Sequence, residues 1–176
     1  MRFDIVLTTF RLVFMPLWHL CYIGFMQSRI SGSIEETEKI AAKWLSDVAR
    51  SHPSPDEAVL VGLSGHLGAG KTAFVKAVAK ALGVAETVTS PTFVIMKIYE
   101  VGEDSLDIPW RRLVHIDAYR LERAEELEAL SFEKLVADSH NLIMVEWPEN
   151  VGLTQFSPLS DIKIKIEDGK HEFTIQ

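Results

Sequence analysis

Apolar residues after Ser33 return every three or four positions as far as Val48, which predicts an amphipathic helix. The helix begins with a capping-box pattern, in which Ser33 accepts a hydrogen bond from the first turn and Glu36 reaches back toward the cap. It is expected to end near Arg50, because residues 52–55 contain two prolines and are typical of a turn. This period therefore predicts one long helix near the start of the chain body.

Shorter apolar runs follow, and their lengths indicate buried strands rather than helices. Residues 58–64, 113–116 and 142–145 are continuous apolar segments suited to strands covered on both faces. Between the first two, residues 72–82 show helical spacing and stop at Gly83, a residue type favoured after a helix end. A strand, a glycine-rich loop and a helix in this order predict the opening of a βα unit.

The rest of the chain completes an α/β pattern. Residues 93–99 are prone to form a strand, residues 121–130 are predicted to be a helix, and residues 132–136 start another short one. Residues 162–166 alternate and turn into 172–175, which predicts a hairpin with one solvated face. We therefore expect a single α/β domain of P-loop NTPase type. Its mixed, mostly parallel sheet would be flanked by helices, with an antiparallel C-terminal hairpin.

Residues 1–25 differ from this body, since they contain a strongly apolar run interrupted by proline and histidine. A transmembrane helix needs about 20 apolar residues, and Arg11 shortens this run. A secretory signal needs a basic start, which Asp4 weakens, and a small-residue cleavage site, which is missing. The third reading is an upstream extension or mis-assigned start, with the natural start near Met26 and a peripheral anchor as the alternative. We therefore divide the chain into residues 1–25, the extension, and 26–176, the working domain.

Composition narrows the function classes. The chain has 176 residues, of which 47% are hydrophobic, as in ordinary globular proteins. Its net charge of −7, from 18 basic and 25 acidic side chains, argues against direct, tight binding of RNA or DNA. A protein partner that carries the nucleic acid remains compatible. The single cysteine, Cys21, excludes an internal disulfide and fits a reducing cytoplasm.

The segment Gly65–Thr72 matches the phosphate-binding pattern G-x-x-x-x-G-K-[ST] at every fixed position. Glycines let backbone N–H groups approach phosphate oxygens, and the following helix directs its positive end at the same anion. The lysine supplies a charge for the β- and γ-phosphates, and the threonine hydroxyl is a Mg²⁺ ligand. A chance glycine-rich turn is the alternative. We predict an ATP·Mg²⁺ site formed by Gly68, Ala69, Gly70, Lys71, Thr72 and Ala73.

Such a loop also needs a carboxylate at the end of a neighbouring strand. Glu146 follows one buried strand and Asp117 follows another, although acids at strand ends are often only solvated. We assign Glu146 to the metal or its water, and Asp117 to orienting water or the metal from further away. The two roles are open to exchange.

Two further segments are candidates with weaker signals. In Ser90-Pro91-Thr92 the proline keeps the chain extended, and Thr92 is a candidate γ-phosphate sensor, with a plain loop as the alternative. His115 alternates with Asp117 on a strand, and a satisfied core histidine is an equally simple reading. Arg120 has the position to stabilise phosphate charge or to form a surface salt bridge.

Taken together, these motifs resemble the TsaE (YjeE) family of ATPases. The resemblance rests on Gly65–Thr72, S-P-T-F at 90–93, H-I-D-A-Y-R-L at 115–121 and V-E-W-P at 145–148, in the family's order. It extends from about Ser33 to near the C-terminus and leaves residues 1–25 out. The phosphate loop alone is widely shared, whereas the other three motifs are much more specific.

The resemblance implies a part in making N6-threonylcarbamoyladenosine (t6A) at position 37 of tRNA. Family members hydrolyse ATP while bound to the TsaB and TsaD proteins, and TsaD performs the transfer, so tRNA is met only through the complex. The resemblance also implies a cytoplasmic protein without stable membrane association. It gives roles in catalysis to Lys71, Thr92, Asp117 and Glu146, in nucleotide binding to Thr37, Trp147 and Lys170, and in metal binding to Thr72 and Glu146.

Two other functions compete with this one. A small-molecule kinase shares the phosphate loop, but it usually adds an arginine-bearing lid, and no such segment is evident after Thr72. The second competitor is a nucleotide-sensing module that hydrolyses little ATP by itself. Partner-dependent turnover separates it from the favoured ATPase. A GTPase is disfavoured because the sequence has no N-K-x-D motif.

Overall fold

The computed structural model describes residues 27–51, 56–102, 108–153 and 159–176. Its strands are β1 (Gln27–Ser31), β2 (Val59–Ser64), β3 (Met96–Glu100), β4 (Arg112–Asp117), β5 (Asn141–Glu146), β6 (Leu159–Glu167) and β7 (Lys170–Ile175). Its helices are α1 (Ile34–Ser51), α2 (Lys71–Ala81), α3 (Glu125–Glu128) and α4 (Phe132–Val136). The hypothesis about residues 1–25 and the turn expected at 52–55 lie outside the described residues.

The seven strands form one mixed sheet in the order β1-β7-β6-β2-β5-β4-β3. The central strands β6, β2, β5 and β4 are parallel, whereas β3 and the β6-β7-β1 side pair antiparallel. The predicted α/β class, the mixed sheet and the C-terminal hairpin are thus confirmed. Because β2, β5 and β4 are neighbours and parallel, their carboxyl ends lie together at one edge of the sheet.

Helices α1 and α2 cover one face of the sheet. Trp44 of α1 packs edge to face against Phe74 of α2, which in turn contacts Phe173 of β7. The predicted cap forms at the start of α1, where the Ser33 hydroxyl accepts a hydrogen bond from the Glu36 N–H at 3.2 Å. The ring contacts of Phe74 hold helix α2 against α1 and the sheet, with its N-terminus at the edge where the strands end.

The other face is covered by short segments instead of the helix expected at 121–130. Only one turn of that segment, α3, is helical, and a single 3₁₀ turn at Ala118–Arg120 precedes it. Leu121 is extended, with φ −84° and ψ 144°, and the Glu126 carboxylate accepts hydrogen bonds from the N–H groups of Glu122 and Arg123. These local bonds compete with a longer helix, so that part of the prediction was wrong.

Two strand predictions also need correction. Strand β3 starts at Met96 rather than Phe93, because the N–H groups of Val94 and Ile95 donate to the Pro91 carbonyl and close a turn. Strand β1 was missed, since its residues are polar and mostly exposed. It exists through its antiparallel pairing with β7, a long-range contact that leaves no apolar period in the sequence. Within the described residues, no helix has both the length and the apolar character needed to cross a membrane.

Candidate nucleotide-binding site

The loop between β2 and α2 turns at three glycines. Gly65, Gly68 and Gly70 have φ angles of 147°, 79° and 101°, in the left-handed region that favours glycine. A methyl group on Gly65 would lie 2.3 Å from the Ile164 carbonyl oxygen, and one on Gly68 would meet no atom within 4 Å. Gly70 immediately precedes α2, so the loop leads directly into the unpaired N–H groups of the helix. The predicted strand, loop and helix are confirmed in that order.

Replacing Gly65 by alanine is expected to destabilise the protein, because the added methyl group would clash with a backbone oxygen at 2.3 Å. We expect a loss of at least about 2 kcal/mol of unfolding free energy, which lowers the Tm by at least about 4 °C. Gly152→Ala is the matched control, because Gly152 also has a positive φ, 61°, but open space around it. The unfolding free energy of Gly152→Ala should fall by about 1 kcal/mol. Equal Tm values for the two variants in thermal unfolding would contradict this account of the loop.

Lys71, the first residue of α2, points its ammonium group into the loop. Its Nζ donates hydrogen bonds to the carbonyl oxygens of Gly65, at 2.7 Å, and His66, at 3.0 Å. The same atom lies 3.7 Å from the centre of the Trp147 ring, and the residue is only 4% exposed. A nucleotide phosphate placed in the loop would compete for these hydrogen bonds with oxygens of higher negative charge.

Two opposing effects act on the pKa of Lys71. Burial is the larger effect and holds this pKa below its usual value, although the carboxylates of Glu146, Glu149 and Asp117 raise it. A phosphate group in the loop would add further negative charge beside the amine. Nucleotide binding is therefore expected to favour the charged ammonium form.

Thr72 and Glu146 meet beside the loop. The Thr72 hydroxyl donates a hydrogen bond to Glu146 Oε1 at 2.7 Å. Glu146 is the last residue of β5, is 3% exposed, and lies opposite Leu63 of β2 in the parallel register. A threonine hydroxyl and a buried carboxylate are hard oxygen ligands of the kind that Mg²⁺ prefers.

Asp117 ends β4 directly opposite Glu146 in the register of β4 and β5. Its Oδ2 accepts a hydrogen bond from the Thr92 hydroxyl and a longer one, of 3.5 Å, from Ser90. Its Oδ1 accepts from the backbone N–H of Tyr119 at 3.1 Å. The structure therefore brings both predicted acids together and ties the loop that carries Thr92 to one of them.

Trp147 forms one wall of the site immediately after Glu146. Its backbone has a φ of 60°, which turns the chain out of β5, and its N–H donates to the Leu63 carbonyl at 3.1 Å. Its ring packs against Tyr119 at a centroid distance of 5.2 Å and covers the Lys71 ammonium group.

These groups surround a cleft of about 350 Å³. Most of the predicted site residues line it: Gly68, Ala69, Gly70, Lys71, Thr72, Ala73, Thr92, Asp117, Glu146 and Trp147. The two remaining candidates, Thr37 and Lys170, lie elsewhere, and the roles of all twelve residues stay predictions.

A second cleft, of about 640 Å³, adjoins the first and shares Gly70 and Ala73 with it. Thr37 lines this second cleft at the start of α1. Its hydroxyl is engaged with the Ser31 hydroxyl, at 2.8 Å, and with the Ser33 carbonyl, at 3.2 Å. Thr37 therefore lies beside the phosphate loop, and its contact with a nucleotide stays a prediction.

His171 is a residue that the sequence reasoning missed. It lines the second cleft, its Nδ1 hydrogen-bonds to the Ala69 carbonyl at 2.9 Å, and a methyl group on Gly70 would lie 3.1 Å from that same nitrogen. Lys170, the predicted residue, lines a separate depression with Ile30 of β1 and other residues of the β6–β7 hairpin. One signal was available, because His171 alternates with the buried Phe173 and so lies on the inward face of the hairpin.

The residues present fit ATP and Mg²⁺. The loop offers a glycine-lined cradle in which a methyl group at Gly68 would lie in open space, together with one buried ammonium group. In the described part of the chain, no cluster of three or more His, Cys, Asp or Glu side chains is arranged to hold a metal alone. Mg²⁺ at this site would therefore take Thr72, with Glu146 or its water, and complete its ligands from phosphate and solvent.

Comparison with known proteins gives consistent matches over the same region. A family model described as "Threonylcarbamoyl adenosine biosynthesis protein TsaE" matches residues 31–175. The tRNA threonylcarbamoyladenosine biosynthesis protein TsaE of Treponema pallidum is 32% identical over 148 residues, which are 83% of this chain and 97% of that protein. The Streptomyces coelicolor protein of the same name is 45% identical over 91 residues, 51% of this chain and 57% of that protein. This chain thus matches little more than half of the Streptomyces protein's length.

A solved structure of similar sequence also has a similar fold. The crystal structure of YdiB from Bacillus subtilis superimposes with a TM-score of 0.63 at 27% sequence identity. The superposition covers 86% of this chain and 84% of the YdiB chain. The glycine loop, the two acids and the C-terminal hairpin all fall within the region that the family model matches.

Proposed function

This chain belongs to the TsaE family of threonylcarbamoyl adenosine biosynthesis proteins, and from that premise we propose that it binds ATP·Mg²⁺ and hydrolyses ATP to support t6A formation on tRNA. The observation that carries the proposal is the group of buried Lys71, Asp117 and Glu146, with the half-buried Thr72, around one glycine-lined cleft. A lysine, a hydroxyl and two acids in this arrangement suit phosphate binding and the control of a hydrolytic water.

Each of these residues has a distinct task in the proposal. Lys71 holds the β- and γ-phosphates in place of the Gly65 and His66 carbonyls that it now contacts. Thr72 and Glu146 hold Mg²⁺, whose chemistry is to neutralise charge that develops on the phosphate oxygens. Asp117 orients the attacking water, and its hydrogen bond with Thr92 lets the 90–92 loop respond to what lies in the cleft.

The acids have a geometry that supports this division of tasks. Glu146 accepts a hydrogen bond from Thr72, which the motif places at the metal. Asp117 instead accepts one from Thr92 of the 90–92 loop. The two strand ends place both carboxylates in register across one pair of parallel strands. We therefore infer that Glu146 acts on the metal side and Asp117 on the water side.

We further propose that TsaB and TsaD are the partners and that tRNA is met through them. The net charge of −7 supports this, because a surface with that balance does not attract nucleic acid phosphates by itself. Large apolar side chains are also exposed at the cleft, since Leu67 and Tyr119 line it and are 77% and 47% exposed, and Phe93, which follows the lining residue Thr92, is 84% exposed. An exposed apolar rim of this kind is typical of a surface that a protein partner covers.

The proposal is tested by measuring ATP hydrolysis by the full chain, alone and with the TsaB–TsaD pair. We expect low turnover alone and a rise of at least about tenfold with the pair, since partner-completed sites gain large factors in phosphoryl transfer. Nucleotide binding without any response to the pair would contradict the partner proposal. A phosphorylated product from a panel of metabolites would instead favour the small-molecule kinase.

A further inference from the structure

His115 is a fully buried histidine in contact with the candidate metal ligand. It is 0% exposed, and its Nε2 lies 2.8 Å from Glu146 Oε1. It sits on β4, two residues before Asp117, on the face that also carries the buried Leu113. The alternation of the strand therefore places this ring beneath the site rather than in the opposite core layer.

The hydrogen bonds to Glu146 are divided unequally between its two oxygens. The Thr72 hydroxyl and His115 Nε2 both contact Oε1, at 2.7 and 2.8 Å. Glu146 also lines the cleft. Two fixed contacts on one oxygen set the rotation of the carboxylate, so Oε2 remains for a ligand that enters the cleft.

The other ring nitrogen of His115 argues against a purely structural role. Its Nδ1 is buried and has no hydrogen-bond partner among the described residues. A histidine kept only for packing would be expected to satisfy both nitrogens or to be replaced by an apolar residue, because a buried polar atom without a partner is costly. The contact with Glu146 is the polar interaction that explains why a histidine occupies this position.

We propose that His115 is a positioning residue that fixes the Glu146 carboxylate, through an Nε2–H hydrogen bond to Oε1, so that Oε2 is presented to Mg²⁺ or its bound water. The inference rests on the proposed function, since it assumes that Glu146 acts on the metal side. It adds a residue that touches neither nucleotide nor metal but controls the orientation of one that does. Partners of metal ligands in this relation commonly affect metal affinity by about 10–100-fold.

The test is the affinity of the full chain for a fluorescent ADP analogue, measured in EDTA and over a series of Mg²⁺ concentrations. His115→Leu removes the donor, whereas His115→Gln retains an N–H group near the position of Nε2. For His115→Leu we expect a nucleotide affinity in EDTA within about twofold of wild type. The half-effect concentration, which is the Mg²⁺ concentration that gives half of the full change in nucleotide affinity, should rise about tenfold. For His115→Gln we expect a half-effect concentration within about threefold of wild type.

Several outcomes would overturn the inference. An unchanged Mg²⁺ response in His115→Leu, or an equal loss of affinity with and without Mg²⁺, would show that Glu146 does not depend on this contact. A wild-type protein whose nucleotide affinity ignores Mg²⁺ would overturn the proposed function and this inference together. If His115→Leu fails to fold, His115→Asn replaces it, since its shorter amide does not reach Glu146. Equal Mg²⁺ responses of the Asn and Gln variants would then overturn the inference.

Discussion

Replacing Lys71 by alanine is expected to reduce ATP hydrolysis by this chain at least about 100-fold, measured with the TsaB–TsaD pair present. The reason is the position of its ammonium group, which is buried and hydrogen-bonded at 2.7 and 3.0 Å to two carbonyl oxygens of the glycine loop. The variant leaves the backbone N–H groups of the loop and the proposed Mg²⁺ to offset the charge on the phosphates, without the ammonium group. Nucleotide affinity is expected to fall as well, because a charge-assisted contact is lost.

Lys43→Ala is the matched control for this experiment. Lys43 lies on α1, has a largely exposed side chain that pairs with Asp47 at 2.5 Å, and lines neither of the two clefts. Exposed pairs of this kind contribute about 1 kcal/mol or less to stability, so the rate of hydrolysis should be within about twofold of wild type. If Lys71→Ala and Lys43→Ala lost activity equally, the loss would not come from the phosphate site.

Asp117→Asn is expected to separate turnover from binding. The change keeps the shape of the side chain, and the amide oxygen is able to accept the Thr92 or Tyr119 hydrogen bond, but the negative charge beside the water is lost. We expect the hydrolysis rate to fall about 100–1,000-fold, with nucleotide affinity in Mg²⁺ within about threefold of wild type. Rates and affinities are measured on the same preparations.

The Glu146→Gln variant tests which of the two acids acts on the metal side. Because Glu146 contacts the Thr72 hydroxyl, its loss should weaken the dependence of nucleotide affinity on Mg²⁺ as well as the rate. Asp47→Asn, on the exposed face of α1 where Asp47 pairs with Lys43, controls for the loss of a carboxylate. If Asp117→Asn lost the Mg²⁺ response and Glu146→Gln kept it, the assigned roles would have to be exchanged.

The parts of the site that follow from local sequence were predictable. The loop Gly65–Thr72 is contiguous, so its residue types fix the strand, the turn and the helix start together. Asp117 and Glu146 were predictable as a pair because each ends an apolar run, and parallel strands end at a common edge. Their direct opposition in register, however, is a property of the assembled sheet.

The parts that depend on long-range contacts were not predictable in the same way. Strand β1 has a polar sequence and is defined by pairing with β7, more than a hundred residues away. The contact of His115 with Glu146 joins two strands through their register, and its sequence is equally compatible with a core histidine. The helix expected at 121–130 had a suitable composition, but the hydrogen bonds of the Glu126 carboxylate to the N–H groups of residues 122 and 123 delay its start, and the chain turns at Ser131, where φ is 55°.

The central claim, that nucleotide hydrolysis at this loop supports t6A formation, is tested most directly by the t6A content of tRNA. The full chain, or its Lys71→Ala variant at equal protein level, is supplied to bacteria depleted of their own TsaE, and t6A is quantified by mass spectrometry of the tRNA nucleosides. We predict that the wild-type chain restores t6A and that the variant does not. Failure of the wild-type chain to restore t6A, or equal restoration by the variant, would contradict the account.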